Sequence, residues 1–169
     1  MKRVIELVES LNREGRDKVI EYLRESNFST AQCYKHHKYR GGLLDHTLEV
    51  YELMMKRRGN LPIESVIVCA LFHDLGKTTC KGYTIRKKGH YNRSLAILDK
   101  CGFQLTDSER SAIANHHAVD GMSKSNPLRY CLSKSDMTST GKWKTQNHDS
   151  NTKLTRRIKD YLLYHYSLH

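Results

Sequence analysis

Acidic residues are scarce in this 169-residue chain: 18 Asp and Glu face 29 Lys and Arg, a formal net charge of +11. The deficit is uneven, because the part after Ile85 carries +8 of that surplus. Such a balance favours polyanionic partners, namely nucleotides, nucleic acid or an acidic membrane surface, and says nothing about fold. Long apolar runs are missing as well. The best, from Val66 to Phe72, falls far short of the roughly 18 residues of a membrane span, so a buried helix is expected there and no membrane partner. At the start, Glu6 and Glu9 interrupt Val4, Leu7, Val8 and Leu11, which excludes the apolar core of a signal peptide. The five cysteines are odd in number, widely spaced and never in a C-x-x-C pair. That argues against a disulfide framework or a structural zinc site and for a reducing, cytoplasmic location. Internal repeats and long low-complexity tracts are absent too. The length suits a single domain, residues 1–169, with a real hydrophobic core.

Strand-like alternation is nearly absent, whereas apolar residues recur with helical period at Val4, Leu7, Val8 and Leu11, at Val19, Ile20 and Leu23, at Leu44, Leu48, Tyr51 and Met55, and from Ile63 to Leu71. This periodicity predicts an all-α fold. Gly15 separates the first two helices, Pro62 suits a first helical turn, and Thr106 with Glu109 forms a capping box that opens a helix expected to run from Asp107 through His116. Further helices are expected over 92–100, 127–138 and 153–166. Residues 78–90, basic and bounded by glycine, read as a loop or short hairpin, and 139–152 as a loop whose Trp143 packs on the core. In the last helix Lys153, Arg156, Arg157 and Lys159 oppose Leu154, Ile158, Tyr161 and Leu162, the pattern of an amphipathic surface helix.

Ten histidines are the chemical signal. The strongest piece is Ala70-Leu71-Phe72-His73-Asp74-Leu75-Gly76-Lys77, an apolar helix that ends on a polar pair, a glycine and a lysine. Burying the apolar stretch carries His73 and Asp74 inward, where an unpaired carboxylate costs several kcal/mol unless a cation or strong hydrogen bonds meet it. A divalent metal is the simplest such cation. Zn, Mn, Fe and Ni accept imidazole and carboxylate together, and His46, His90, His116, His117 and Asp136 stand at other helix-accessible positions. A lone histidine on an apolar face is more often a core residue bonded to backbone, and a lone helix aspartate more often exposed or a cap. The set taken together argues for a metal site.

The ordered set His46, His73-Asp74, Asp136 resembles the H…HD…D signature of the HD-domain superfamily of metal-dependent phosphohydrolases, over residues 31–138. The stretch with His36-His37 and Gly41-Gly42-Leu43-Leu44-Asp45-His46-Thr47 is similar to the HD module of bacterial 3′-to-5′ exoribonucleases. Those enzymes carry an OB-type domain ahead of the module, and the 30 residues ahead of the resemblance are too few for one. Small stand-alone HD enzymes that cleave nucleotides are similar in pattern and closer in length. The cyclic-dinucleotide phosphodiesterases of the superfamily carry Gly-Tyr-Pro where this chain has Asp120-Gly121-Met122.

The resemblance implies a helical HD bundle holding two divalent ions (Mn, Fe, Ni, Mg or Zn): one on His46, His73, Asp74 and Asp136, the second on Asp74 as a bridge with His90 and His116. His117 is a further candidate ligand, although adjacent helical residues point about 100° apart and only one of the pair is expected to face the site. Such a pair of ions activates water for in-line attack on a phosphoryl group without a protein nucleophile. Asp74 and Lys77 are therefore the catalytic candidates. Lys77 also stands as a phosphate ligand, or as a solvated lysine answering the helix dipole. Lys35, His37 and Arg40 on one side, and Arg86, Lys87 and Lys88 on the other, adjoin ligand segments and are candidate phosphate-binding residues. The expected substrate is a nucleotide or related phosphorylated molecule; a single-stranded RNA or DNA end is the alternative, and a non-catalytic metal- and nucleotide-binding module a third reading.

Overall fold

The central element is the one with the least polar sequence. In a computed structural model, which describes residues 1–33, 36–79, 89–117 and 126–141, the apolar run forms helix α4 (Ile63–Phe72), buried continuously from Ser65 to Phe72. A helix apolar all round is stable only inside a shell of others. That shell is α1 (Lys2–Glu9), α2 (Arg16–Glu25), α3 (Gly42–Arg57), α5 (His90–Lys100), α6 (Asp107–Ala114) and α7 (Pro127–Ser139). A 3₁₀ turn, Leu75–Thr79, follows α4. No strand occurs among the described residues, so the all-α expectation holds. Helix α3 packs on α4 and α7, α6 on α4, α5 and α7, and α1 on α2 and α4. Phe28, Leu43, Met54, Leu71, Phe72, Leu98, Ile113 and Leu132 fill the core between them.

The boundaries correct the sequence reading in four places. Helix α5 starts at His90, not at 92. Thr78 and Thr79 belong to the 3₁₀ turn rather than a loop, their hydroxyls donating to the carbonyls of Leu75 and Gly76. Ser139 is the last residue of α7 rather than the first of a loop. Helix α6 stops at Ala114, two residues before His116, because Asn115 leaves the helical region (φ −118°, ψ 16°) and its amide side chain caps the Ser111 carbonyl. The expected hairpin residues 80–88, the loop residues 142–152 with Trp143, and the helix over 153–166 lie outside the described residues.

Two local features tie distant segments together. The capping box forms as expected, Glu109 N–H donating to Thr106 Oγ1 at 3.2 Å and Thr106 N–H to Glu109 Oε2 at 2.9 Å. Glu109 is also fully buried and accepts a bidentate pair from Arg13 (2.8 and 2.9 Å) and a hydroxyl from Ser65 (2.6 Å). The α1–α2 connection is thereby clamped to α4 and α6. At Gly76, a Cβ would meet the His90 carbonyl oxygen at 2.0 Å and the Ser94 nitrogen at 2.8 Å, so the first turn of α5 sits directly on this backbone. Gly76 N–H donates to Ser94 Oγ at 2.8 Å. Gly76→Ala is expected to push α5 outward and move His90 away from Asp74; loss of metal binding with retained helical circular dichroism would show this, and unchanged binding would refute it.

Candidate metal centre

Burial of α4 delivers its C-terminal pair to the interior: His73 is 0% and Asp74 1% exposed. His46, fifth residue of α3, and Asp136, in the last turn of α7, are buried beside them. His46 Nε2 lies 3.3 Å from His73 Nε2, 3.3 Å from Asp74 Oδ2 and 3.2 Å from Asp136 Oδ1. On the other side of Asp74, Oδ1 is 3.1 Å from His90 Nε2 and 4.0 Å from His116 Nε2. His117 joins this second group, with Nε2 3.2 Å from His90 Nε2 and Nδ1 3.6 Å from Asp136 Oδ2. Potential ligand atoms lie within 4.8 Å of one another in His46–His73–Asp136 and again in Asp74–His90–His116–His117. The two oxygens of Asp74 thus face different groups.

His116 is buried and His117 exposed, yet both reach the second group, for a simple reason. Both follow the end of α6, in a turn, so the 100° helical offset does not apply and their rings sit 4.0 Å apart.

The outer nitrogens of three of these imidazoles are occupied, which turns the inner ones toward the site. His73 Nδ1 pairs with the Ala70 carbonyl (2.9 Å) and His116 Nδ1 with the Ile113 carbonyl (2.7 Å). Both are last-turn carbonyls that a helix leaves unpaired. A carbonyl only accepts, so each Nδ1 carries a hydrogen and each ring turns its Nε2 inward. His46 Nδ1 meets Ser139 Oγ at 2.9 Å, and that hydroxyl donates to Glu49 Oε2 at 2.7 Å. The hydroxyl hydrogen is committed to Glu49, so His46 Nδ1–H must donate. The Nε2 atoms of His46 and His73 face each other at 3.3 Å, an approach that needs a hydrogen or a cation between them because two lone pairs would repel.

The carboxylates are held ionised and draw positive charge to the site. Burial pushes the Asp74 carboxyl up, but the Lys77 ammonium and the His73 and His46 rings hold it well below the usual carboxylate range. Burial likewise opposes ionisation of Asp136, and hydrogen bonding and charge from His46 prevail. Burial lowers the His46 imidazole, yet Asp136 and Asp74 raise it above its ordinary value, so a proton and a metal ion compete for its Nε2. Burial pushes His116 well down and His117 to about 4, which keeps both neutral as ligands must be. Asp74 Oδ1 and His116 Nε2 are buried without a hydrogen-bond partner among the described residues. An unsatisfied buried polar atom costs about 1–3 kcal/mol, and a divalent cation, which takes both carboxylate oxygen and imidazole nitrogen, satisfies the two at once. The donor set fits such an ion.

The remaining candidates are placed unequally. Lys77, with a side chain 10% exposed, sits on Asp74 Oδ2 as an ion pair rather than in solvent. Although burial lowers its ammonium, Asp74 raises it. Lys77 Nζ also reaches Cys33 Sγ at 3.8 Å, and burial pushes that thiol up to about 12. His37 Nε2 contacts Glu49 Oε2 at 3.2 Å, and its Nδ1 faces His36 Nδ1 at 3.0 Å. The His36 ring packs 4.4 Å from His46, and burial lowers it to about 3. Gly42 makes this approach possible, since a Cβ there would meet the His37 carbonyl oxygen at 2.0 Å. Arg40 is exposed in the turn before α3. Lys35, Arg86, Lys87 and Lys88 lie outside the described residues.

Glu49 and Ser139 are the site residues that sequence reading missed. Glu49 lies one turn after His46 in α3, a helical signal that was available, whereas Ser139 reaches His46 across 93 positions and had none. Both act through His46 by fixing its ring and tautomer. Loss of such a supporting hydrogen bond lowers metal affinity by about 10- to 100-fold. Ser139→Ala is expected to weaken metal binding by that factor in a competitive chelator titration, with little change in melting temperature; wild-type affinity would show that the hydroxyl does not orient His46.

An all-α bundle closing on two His and carboxylate groups that share one aspartate is a metal-holding helical domain. The HD domain family matches residues 43–158, more than half of the chain, and the chain belongs to that family. HD domains are in general metal-dependent phosphohydrolases that bind divalent cations. No curated protein and no solved structure matches the chain. No described helix is long and apolar enough to cross a membrane.

Proposed function

We propose that this chain hydrolyses a phosphoester or phosphoanhydride of a nucleotide or related small phosphorylated molecule, using two divalent cations. His46, His73, Asp74 and Asp136 would hold one and Asp74, His90, His116 and His117 the other. The observation that carries this reading is Asp74 itself, one carboxylate whose oxygens face two separate histidine groups. Divalent cations at such a site lower the pKa of water and offset charge on phosphoryl oxygens. The chain supplies the rest. The backbone carbonyls of Ala70 and Ile113 keep His73 and His116 in the ligating tautomer, and Glu49 with Ser139 does so for His46. Lys77, already an ammonium poised at Asp74, is the group placed to meet a phosphoryl oxygen. The +11 charge favours a polyanionic substrate. The four described cysteines are free thiols, which supports a reducing, cytoplasmic setting.

The test is product release from nucleoside mono-, di- and triphosphates, dinucleoside polyphosphates, cyclic nucleotides and short RNA and DNA, with Mn²⁺, Mg²⁺, Ni²⁺ or EDTA. Metal-dependent turnover of a small nucleotide is the expected result. Turnover confined to RNA or DNA, with affinity falling steeply as salt rises, would transfer the chemistry to nucleic-acid ends. Silence across the panel with metal tightly retained would overturn the hydrolase reading.

A further inference from the structure

Away from the metal centre, α3 and α7 enclose a groove of about 330 Å³ at the opposite end of α3. Arg57 lies eleven residues beyond His46 on that helix, three turns or roughly 16 Å along its axis. Arg57, Arg58 and Lys134 line the groove with Tyr130, against apolar walls that include Leu61 and Cys131. None of the lining residues is a carboxylate.

The two arginines are held in place by neutral oxygens. Arg57 donates from its two terminal nitrogens to Ser135 Oγ (3.3 Å) and Thr138 Oγ1 (3.1 Å) of α7. Arg58 donates to the carbonyls of Gly59 (3.4 Å) and Leu61 (3.3 Å). Lys134 donates to Tyr130 Oη at 3.2 Å. Arg57 and Arg58 form no ion pair with a carboxylate among the described residues. Both are half-buried, and withdrawing a guanidinium from water without a counter-charge is unfavourable. A strut between α3 and α7 requires no charge; two hydroxyls could be bridged by an amide. Basic residues at a helix C-terminus commonly answer the dipole, but Arg57 turns away from the carbonyls of α3 toward α7. What the two arginines lack among the described residues is an anion.

We propose that this groove is a second, non-catalytic binding site for a phosphate group. Arginine forks matched to oxyanions bind phosphate bidentately. The volume is at the lower end for ligand sites and suits one phosphate with a small attached group, either of a free nucleotide or of one linkage in a polynucleotide. Because Ser135 and Thr138 flank Asp136, an anion on Arg57 would bear on the helix that carries that residue.

The test is calorimetric titration of the full chain in EDTA at low salt with inorganic pyrophosphate and with a short single-stranded oligoribonucleotide. Because binding is read without metal or turnover, its failure is distinguishable from failure of the hydrolase reading. The comparison is between wild type, Arg58→Gln/Lys134→Gln, and a charge-matched control, Lys2→Gln/Lys100→Gln. We expect at least tenfold weaker binding in the groove variant, wild-type affinity in the control, and unchanged melting temperatures in both. Loss for pyrophosphate would mark a free phosphorylated compound as sufficient, and loss for the oligonucleotide alone would mark a backbone phosphate; either supports the groove. Equal affinity in the groove variant, an equal loss in the control, or no wild-type binding of either probe at millimolar concentration would overturn it.

Discussion

Asp74→Asn is expected to lower metal-dependent turnover by about a thousandfold or more and to strip the protein of bound metal, while leaving the helical circular dichroism intact. The magnitude follows from removing a residue that acts as one unit with its neighbours, where single replacements are as damaging as multiple ones. Asn preserves the shape but replaces one acceptor oxygen with an NH₂ donor and abolishes the charge. Both histidine groups lose their anionic partner and, whichever way the amide is turned, one of them faces a donor in place of an acceptor: His46 and His73 beside Oδ2 (3.3 and 3.4 Å), or His90 beside Oδ1 (3.1 Å). Lys77 simultaneously loses its counter-charge. The measurements are metal content by elemental analysis and turnover on the best substrate of the panel. A variant that keeps its metal and its turnover would remove Asp74 from the chemistry.

The largest effect on stability is expected from Arg13→Ala. Its guanidinium, with a side chain 14% exposed, is the cationic partner of Glu109, whose side chain is 0% exposed. Breaking a buried pair from one side costs about 3–5 kcal/mol, because the orphaned charge stays buried. At about 2–4 °C per kcal/mol for a chain of this size, the melting temperature should fall by roughly 10 °C. The pH dependence has a definite sign. Burial pushes the Glu109 carboxyl up, but Arg13, Ser65 and the Thr106 N–H together hold it below its ordinary 4.5. A depressed carboxyl contributes stability that is complete above about pH 4.5 and disappears as pH falls through its folded-state value. In Arg13→Ala the carboxyl is buried without a cation, so its pKa rises and protonation relieves the strain. The stability gap between wild type and variant should therefore narrow on acidification. Adding Glu109→Gln to Arg13→Met should recover most of the loss, since removing both charges removes the penalty. A gap independent of pH, or no recovery, would locate the effect elsewhere in the contacts of Arg13.

Much of the bundle is legible in the chain because its signals are local. Helical spacing from Val4 to Leu11, the Thr106–Glu109 capping box and the apolar run ending at His73-Asp74 each lie within one or two turns. The same locality makes the two-group site partly readable: His46, His73, Asp74, His90, His116 and Asp136 were nameable from residue type and resemblance, and these side chains do converge. The exception lies where a helix ends. Asn115, a residue type that favours helix ends, terminates α6, and this termination lets both imidazoles reach the second group, His116 from inside and His117 from its exposed edge.

Sequence by itself determined the helical class, the interior position of the His73-Asp74 pair and the family, since each depends on residue type and short-range periodicity. Tertiary structure alone decided the rest. Contact of Gly76 with the first turn of α5 sets His90 beside Asp74, Ser139 and Glu49 orient His46 from α7 and α3, Arg13 neutralises Glu109 across 96 positions, and Arg57 meets α7 across about 80. The physical reason is that a buried charge or lone pair takes its partner from whichever segment packs against it, and that choice is made by the close-packed core rather than by neighbours in sequence.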